Sequence, residues 1–180
     1  MASPGPRSAL IVEVPEAEPA VSRHRERLDS SAALGIPAHI TVLYPFAPPA
    51  AIGPPVLAEL SRLFAAVGRF RFRLDRTDWF GRDVLWIAPG EPGRFTALTE
   101  RVAGAFPAFP PYEGQFDVVI PHLTVGDGHT VPDLRAAEQA VRAYLPIDAQ
   151  ATAVTLMTQR VGKGPWVRAA TFPLAREQAQ

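Results

Sequence analysis

Two short segments carry the side chains best suited to chemistry. His39-Ile40-Thr41-Val42 and His122-Leu123-Thr124-Val125 share the pattern His-aliphatic-Thr-aliphatic and lie nearly half the chain apart. Each follows an Ile-Pro pair, Ile36-Pro37 in one case and Ile120-Pro121 in the other. Residues i and i+2 of a strand point to the same side. Each copy therefore puts an imidazole and a hydroxyl on one face and two aliphatics on the other. Two such strands facing one another would line a cleft with two His and two Thr. An imidazole gains or loses a proton near neutral pH, and a hydroxyl can donate to an anionic oxygen. Together these groups suit acid–base chemistry on a phosphate.

The chain holds four His in all, and a lone strand His is ordinarily a packed or solvent-facing residue. Repetition of the pattern is what singles out His39 and His122. His24, in a charged stretch, and His129, after Gly128 in a turn, read as surface residues.

Composition narrows the rest. A length of 180 residues suits one domain with two lobes, and 47% hydrophobic content is enough for a core. Formal net charge is zero, so an extended nucleic-acid footprint held by many phosphate contacts is not expected. Lys163 is the only lysine; the other cations are Arg. With no Cys, thiolate catalysis, disulfides and Cys-rich zinc sites are excluded. Met1 to Arg7 lacks the apolar stretch of a signal peptide, and no window reaches transmembrane length. A cytoplasmic monomer without membrane contact is expected.

The elements that must position the motifs follow from pattern. Ser8–Val14 reads as a strand stopped by Pro15. Glu18–Ser30 reads as a surface helix with Arg23, Arg25, Glu26 and Arg27 on its solvated face. His39–Tyr44 is the first motif strand. Val56–Val67 is a helix with Val56, Leu57, Leu60, Leu63, Phe64 and Val67 in one stripe. Arg69–Asp75 alternates strictly, with Phe70, Phe72 and Leu74 on the buried face. Then come a strand over Asp83–Ala88, a helix over Arg94–Phe106, and a Pro- and aromatic-rich loop. His122–Val125 is the second motif strand. A helix over Pro132–Leu145 starts at Thr130 and turns Tyr144 and Leu145 inward. Strands over Ala151–Arg160 and Trp166–Leu174 are joined by a turn at Gly162-Lys163-Gly164-Pro165. Each half thus runs strand, helix, motif strand, helix, strand. The order alone also fits a doubly wound parallel sheet; the hairpin and the amphipathic Arg69–Asp75 strand favour an antiparallel α+β fold instead, a single domain in which a pseudo-twofold between the halves would bring the motif strands to a central groove. The structural repeats span approximately 8–76 and 83–174, and 1–7 and 175–180 are flexible ends.

Pro37-Ala38-His39-Ile40-Thr41-Val42-Leu43-Tyr44-Pro45-Phe46 and Pro121-His122-Leu123-Thr124-Val125 resemble the paired motifs of the two-histidine (2H) phosphoesterase superfamily, in its 2′-5′ RNA ligase-like branch. The opening strand and the C-terminal hairpin are also similar, so the resemblance covers most of residues 8–174. It implies a bilobal, pseudo-twofold α+β fold of two antiparallel sheets flanked by helices around a central groove, no metal or other cofactor, and activity on 2′,3′-cyclic phosphates or 2′-5′ phosphodiester bonds. The partner would be an RNA terminus or a small nucleotide bearing a cyclic phosphate, consistent with RNA processing. One departure stands out. Some members carry a basic residue soon after the second motif, where this chain has Gly126-Asp127-Gly128. Arg160, Lys163 or Arg168 of the C-terminal hairpin are candidates to supply that charge.

In hydrolysis of a cyclic phosphate, one of His39 and His122 would deprotonate water while the other protonates the leaving ribose oxygen. Thr41 and Thr124 would donate to the non-bridging oxygens. Tyr112 and Trp166 are candidates to contact the substrate base, as are Trp79 and Phe80, while Phe109, Tyr112 and Phe116 are placed to form a lid. Tyr44 and Phe46 alternate away from His39 and read as core. Three alternatives stay open: a zinc site formed by the two motif His together with His129 and Asp127, a non-catalytic RNA- or nucleotide-binding module, and a 2′-5′ RNA ligase. The phosphate loop of ATP-dependent enzymes is absent. His39→Ala and His122→Ala are each expected to cut turnover by orders of magnitude while folding survives; near-normal activity in either variant would contradict the assignment.

Overall fold

The apolar run Leu10-Ile11-Val12 forms the centre of strand β1 (Arg7–Glu13) and is fully buried. In the computed structural model, which describes residues 5–160 and 164–176, β1 lies inside a four-stranded sheet of order β2-β1-β7-β8. Its neighbours are β2 (His39–Leu43), β7 (Ala153–Gln159) and β8 (Trp166–Pro173). A second four-stranded sheet has the order β5-β4-β3-β6. It comprises β3 (Phe70–Phe80), β4 (Val84–Pro89), β5 (Leu123–Asp127) and β6 (Ile147–Ala151). Every strand pairing within the sheets is antiparallel. The expected α+β architecture of two antiparallel sheets is therefore the observed one.

The two sheets match strand for strand. Each motif strand sits at an edge, β2 in one sheet and β5 in the other, beside the strand that precedes it in the chain, β1 or β4. The sheets do not follow the two halves of the chain, however. β3, the last strand of the first half, pairs with β4 in the second sheet, while β7 and β8 return to pair with β1 and with each other. The segment 147–159 crosses from one sheet to the other with a break at Thr152. Repeats drawn as 8–76 and 83–174 thus describe element order and not the lobes. Each sheet needs strands from both halves.

The helices are exchanged in the same way. α1 (Glu18–Leu28) and the short α2 (Ser30–Ala33) connect β1 to β2, yet α1 packs on β5. α4 (Gly93–Ala105) connects β4 to β5, yet it packs on β2. There the Thr99 hydroxyl donates to the Val42 carbonyl at 2.7 Å, satisfying an acceptor on the edge strand. α3 (Pro54–Ala65) lies against β8, and α5 (Val131–Arg142) against β3 and β4. α1 and α5 come down close on Gly126 of β5. A Cβ there would lie 2.6 Å from a Leu134 methyl and 2.9 Å from the Leu28 Cβ, so only glycine fits.

Alternation and periodicity account for the burial. Phe70, Phe72 and Leu74 are buried while Arg71, Arg73 and Asp75 are exposed. Leu60, Leu63 and Phe64 form the buried stripe of α3. Thr130 caps α5, its hydroxyl accepting from the Asp133 N–H. The helix ends at Arg142, so Tyr144 is 54% exposed and does not face inward. Of the ends expected to be flexible, Arg7 pairs with Gln159 and Ala175 bridges Gly68. Residues 1–4 and 177–180 of those ends lie outside the described residues.

Arg25 departs most from its expected place on a solvated helix face. It is 2% exposed, and its guanidinium grips the Asp29 carboxylate at 2.8 and 3.1 Å. Asp29 ends α1 and caps α2 through the Ser31 N–H at 2.9 Å. Removing one partner of such a pair strands the other charge in the interior. Asp29→Ala is expected to lower unfolding free energy by about 3–5 kcal/mol in chemical denaturation, whereas Arg62→Ala, at the exposed Glu59–Arg62 pair, should produce no measurable change. A loss under about 1 kcal/mol for Asp29→Ala would contradict this reading of the pair.

Candidate functional site

The motif strands meet along the groove. Glu13 faces His39 and Ile11 faces Thr41 across the β1–β2 ladder, and Trp86 faces Thr124 across β4–β5. Aliphatic members of both motifs, Ile40 and Val42, Leu123 and Val125, are buried in the core. The alternate residues, His39, Thr41, His122 and Thr124, line one cavity of about 460 Å³.

Both imidazoles are held by the same local device. His39 Nδ1 lies 2.8 Å from the Pro37 carbonyl, and His122 Nδ1 lies 2.7 Å from the Ile120 carbonyl. A carbonyl can only accept, so Nδ1 carries the hydrogen in each ring and Nε2 is the nitrogen left for chemistry. The shared requirement is a carbonyl two residues upstream. Proline meets it differently in the two copies, as the acceptor residue itself at Pro37 and as the following residue at Pro121. The Ala38 N–H beside the first motif donates to Glu18 at 2.7 Å. His122 is also wedged edge-on against Phe80 and Trp86, with ring centroids 4.9 and 5.7 Å away.

Burial dominates the titration of both rings. His39 is pushed down to about 4, chiefly by desolvation of its charged form and next by the nearby Arg25 guanidinium. The charge of His122 acts in the same direction, so the two rings sense one another. His122 is lowered by burial, partly offset by its bond to Ile120. Both imidazoles are therefore neutral at pH 7 in the unliganded protein, with Nε2 able to accept a proton.

Of the expected substrate contacts, Tyr112 and Trp166 line this cavity. The Tyr112 hydroxyl hydrogen-bonds Thr41, and burial raises its pKa above the ordinary phenol range. Its N–H donates to the Tyr44 carbonyl at 2.6 Å. Arg160 does not join them. Gln159 faces the cavity, so Arg160, just past the end of β7, is exposed beside Pro165 and Val167. Arg168 is paired with Glu13 at 2.8 Å and does not line the cavity either. Lys163 lies outside the described residues. Asp127 does face the cavity, as does Asp29. The Asp127 carboxyl is raised by burial and by the neighbouring charges of Asp29 and Asp83.

Tyr44 and Arg7 also line the cavity, where the sequence pattern places neither. Tyr44 was expected in the core, but β2 stops at Leu43, so strand alternation no longer governs it. It turns to the cavity and packs edge-on against Tyr112 and Trp166, at 6.5 and 6.2 Å. Arg7, assigned to a flexible end, is the first residue of β1. It shares a face with Ala9 and Ile11, and among the described residues it is the Arg or Lys side chain that lines the cavity. Its Nη1 donates to the Tyr44 hydroxyl at 2.7 Å. The alternation Arg7, Ala9, Ile11 was the available signal. The zinc alternative finds no ligand set: among the described residues no three His, Cys, Asp or Glu side chains are grouped to hold a metal. Among those residues, too, no helix is long and apolar enough to cross a membrane.

Comparison with known proteins agrees with this architecture. The family described as the 2′-5′ RNA ligase superfamily matches residues 13–163. The crystal structure of TT0787 of Thermus thermophilus superposes with a TM-score of 0.62 at 18% identity, covering 96% of this chain and 100% of that one. A structure titled phosphoesterase gives a TM-score of 0.58 at 17% identity, covering 94% and 98%. E. coli LigT complexed with 3′-AMP gives 0.54 at 16% identity, covering 93% and 97%. At these identities the likeness is one of fold. No curated protein matches the chain in sequence.

The site geometry sets the direction in which each ring's titration moves. In an NMR titration of the imidazole resonances, His39 is expected to protonate near pH 4 and His122 also on the acid side of 6.5. Unfolded chains hold these protons up to about 6.5, so the fold's stability is lost as pH falls through the window between that value and the folded pKa. Protonation of either ring at or above 6.5 would contradict the assigned burial.

Proposed function

Because the chain belongs to the 2′-5′ RNA ligase superfamily of two-histidine phosphoesterases, we propose that it hydrolyses 2′,3′-cyclic phosphates or 2′-5′ phosphodiester bonds of RNA or nucleotides, by acid–base catalysis without a metal. The observation that carries this reading is the pair of imidazoles lining one cavity, each with Nδ1 committed to a backbone carbonyl and Nε2 left over. That LigT has been crystallised with 3′-AMP and with NADP+ supports a nucleotide as the ligand of this groove.

The chemistry follows from proton balance. Nε2 of one His takes a proton from water as the water oxygen bonds to phosphorus. The bond from phosphorus to one ribose oxygen breaks, and that oxygen receives the proton held on Nε2 of the other His. The product is a nucleoside 2′- or 3′-phosphate. Both rings are neutral in the free protein, so one must be protonated when substrate binds. The negative phosphate opposes the desolvation that depresses the imidazoles and favours the charged form of the nearer one. The Thr41 and Thr124 hydroxyls stand beside the rings, where they would donate to the non-bridging oxygens as charge grows. Thr41 also holds Tyr112, which couples the first motif to the loop beside the cavity. The same groups run in reverse would join RNA ends by a 2′-5′ bond; abundant water favours hydrolysis.

The test is a panel of 2′,3′-cyclic nucleotides and 2′-5′ dinucleotides assayed with and without EDTA. Turnover is expected to be indifferent to EDTA and to yield one phosphate isomer from the cyclic substrates. Failure to turn over any member, or loss of activity on chelation, would overturn the proposal.

A further inference from the structure

A second cavity of about 740 Å³ adjoins the first. The two share three lining residues, Arg7, Tyr44 and Tyr112, which form the partition between them. This partition is tied together and tied to the motif. Arg7 donates to the Tyr44 hydroxyl, the Tyr112 N–H donates to the Tyr44 carbonyl, and the Tyr112 hydroxyl hydrogen-bonds Thr41. Tyr112 and Glu113 both adopt left-handed backbone conformations, with φ of 49° and 55°, which non-glycine residues rarely do without surrounding support.

The two cavities differ in chemistry. The first holds the titratable motif residues. The second is lined by Phe46, Phe109, Pro110 and other apolar groups, with Phe109 edge-on to Phe46 at 5.6 Å. Its charged lining residues are Arg7, at the partition, and Glu113. A carboxylate there disfavours a phosphate in the body of this cavity, while aromatic and proline surfaces suit the flat face of a base. The place for an anion is the partition, where Arg7 lines both cavities and a guanidinium suits a phosphate.

We propose that the second cavity receives the nucleotide adjoining the cyclic end, with Arg7 gripping the phosphodiester that links the two nucleotides. The substrate class is then an RNA 3′ end of at least two nucleotides, and a free cyclic mononucleotide is a poor substrate. This rests on the hydrolytic reading of the first cavity and adds a second subsite to it. Stacking of one more base and one charge-assisted phosphate contact both act on the longer substrate alone.

The experiment compares kcat/KM for adenosine 2′,3′-cyclic phosphate with that for ApA ending in the same cyclic phosphate. The dinucleotide is expected to be preferred about fivefold or more, the low end of what one stacked base contributes. Raising salt should shrink that ratio, because one phosphate contact is screened. Arg7→Gln and Phe109→Ala should each bring the ratio toward one. Should Arg7→Gln disturb folding, the wild-type ratio and Phe109→Ala decide the matter. Turnover of both substrates with a ratio near one in the wild type would overturn the second subsite and leave the hydrolytic reading intact. An equal loss on both substrates in Arg7→Gln would assign Arg7 to the reacting phosphate instead and also overturn the subsite. If neither substrate is turned over, the hydrolytic reading fails and the subsite falls with it.

Discussion

The site depends on one hydrogen bond made twice. In each motif the imidazole Nδ1–H donates to the carbonyl two residues upstream. That bond fixes the ring plane against its own strand and settles the tautomer, so that Nε2 carries the lone pair. The carbonyl is backbone and acts through position, not side-chain identity. Two strands built this way produce two bases of the same tautomer, His122 being braced further by Phe80 and Trp86. Burial then keeps both neutral, a state in which either can accept a proton.

Bringing the two bonds to one cavity is the work of the interleaved fold. Neither half of the chain completes a sheet, because β3 crosses to the second sheet and β7 and β8 return to the first. The helices cross as well, α1 to β5 and α4 to β2. A shift of one lobe against the other would have to break the packing of α1 and α5 around Gly126 and the Thr99–Val42 bond. The buried Arg25–Asp29 pair lies at the turn from α1 into α2, next to the cavity that Asp29 lines. Its position links the fold's stability to the electrostatics of His39, since Arg25 is one cause of that ring's lowered pKa and Asp29 opposes it. The cross-connections and the two rings thus form one mechanical unit.

Much of this was legible in the residues. The doubled His-x-Thr pattern identified all four motif positions lining the cavity, because strand alternation is a local property. The strict alternation of Phe70, Phe72 and Leu74 and the stripe of α3 were visible for the same reason. What failed was long-range or terminal. β6 carries only Ile147, Ala149 and Ala151 on its alternate positions, and two alanines give little apolar signal for an edge strand. The exchange of strands between sheets leaves no trace in the order of elements. Arg25 looks solvated because Arg23, Glu26 and Arg27 surround it in the sequence, and a buried ion pair with Asp29 leaves no apolar signal. Tyr44 lies one residue past the end of β2, a boundary the strand pattern does not mark, and Arg7 opens β1 close to the start of the sequence. Gln159, and not Arg160, has the parity that faces the groove.

The central claim is that both Nε2 atoms converge on a single phosphorus. A crystal structure of the protein with a bound nucleoside 2′-phosphate tests it most directly. The account predicts both Nε2 atoms within about 3 Å of oxygens on that one phosphate, with each Nδ1 still bonded to its upstream carbonyl. A phosphate held by one imidazole alone, or contacted through Nδ1, would contradict it.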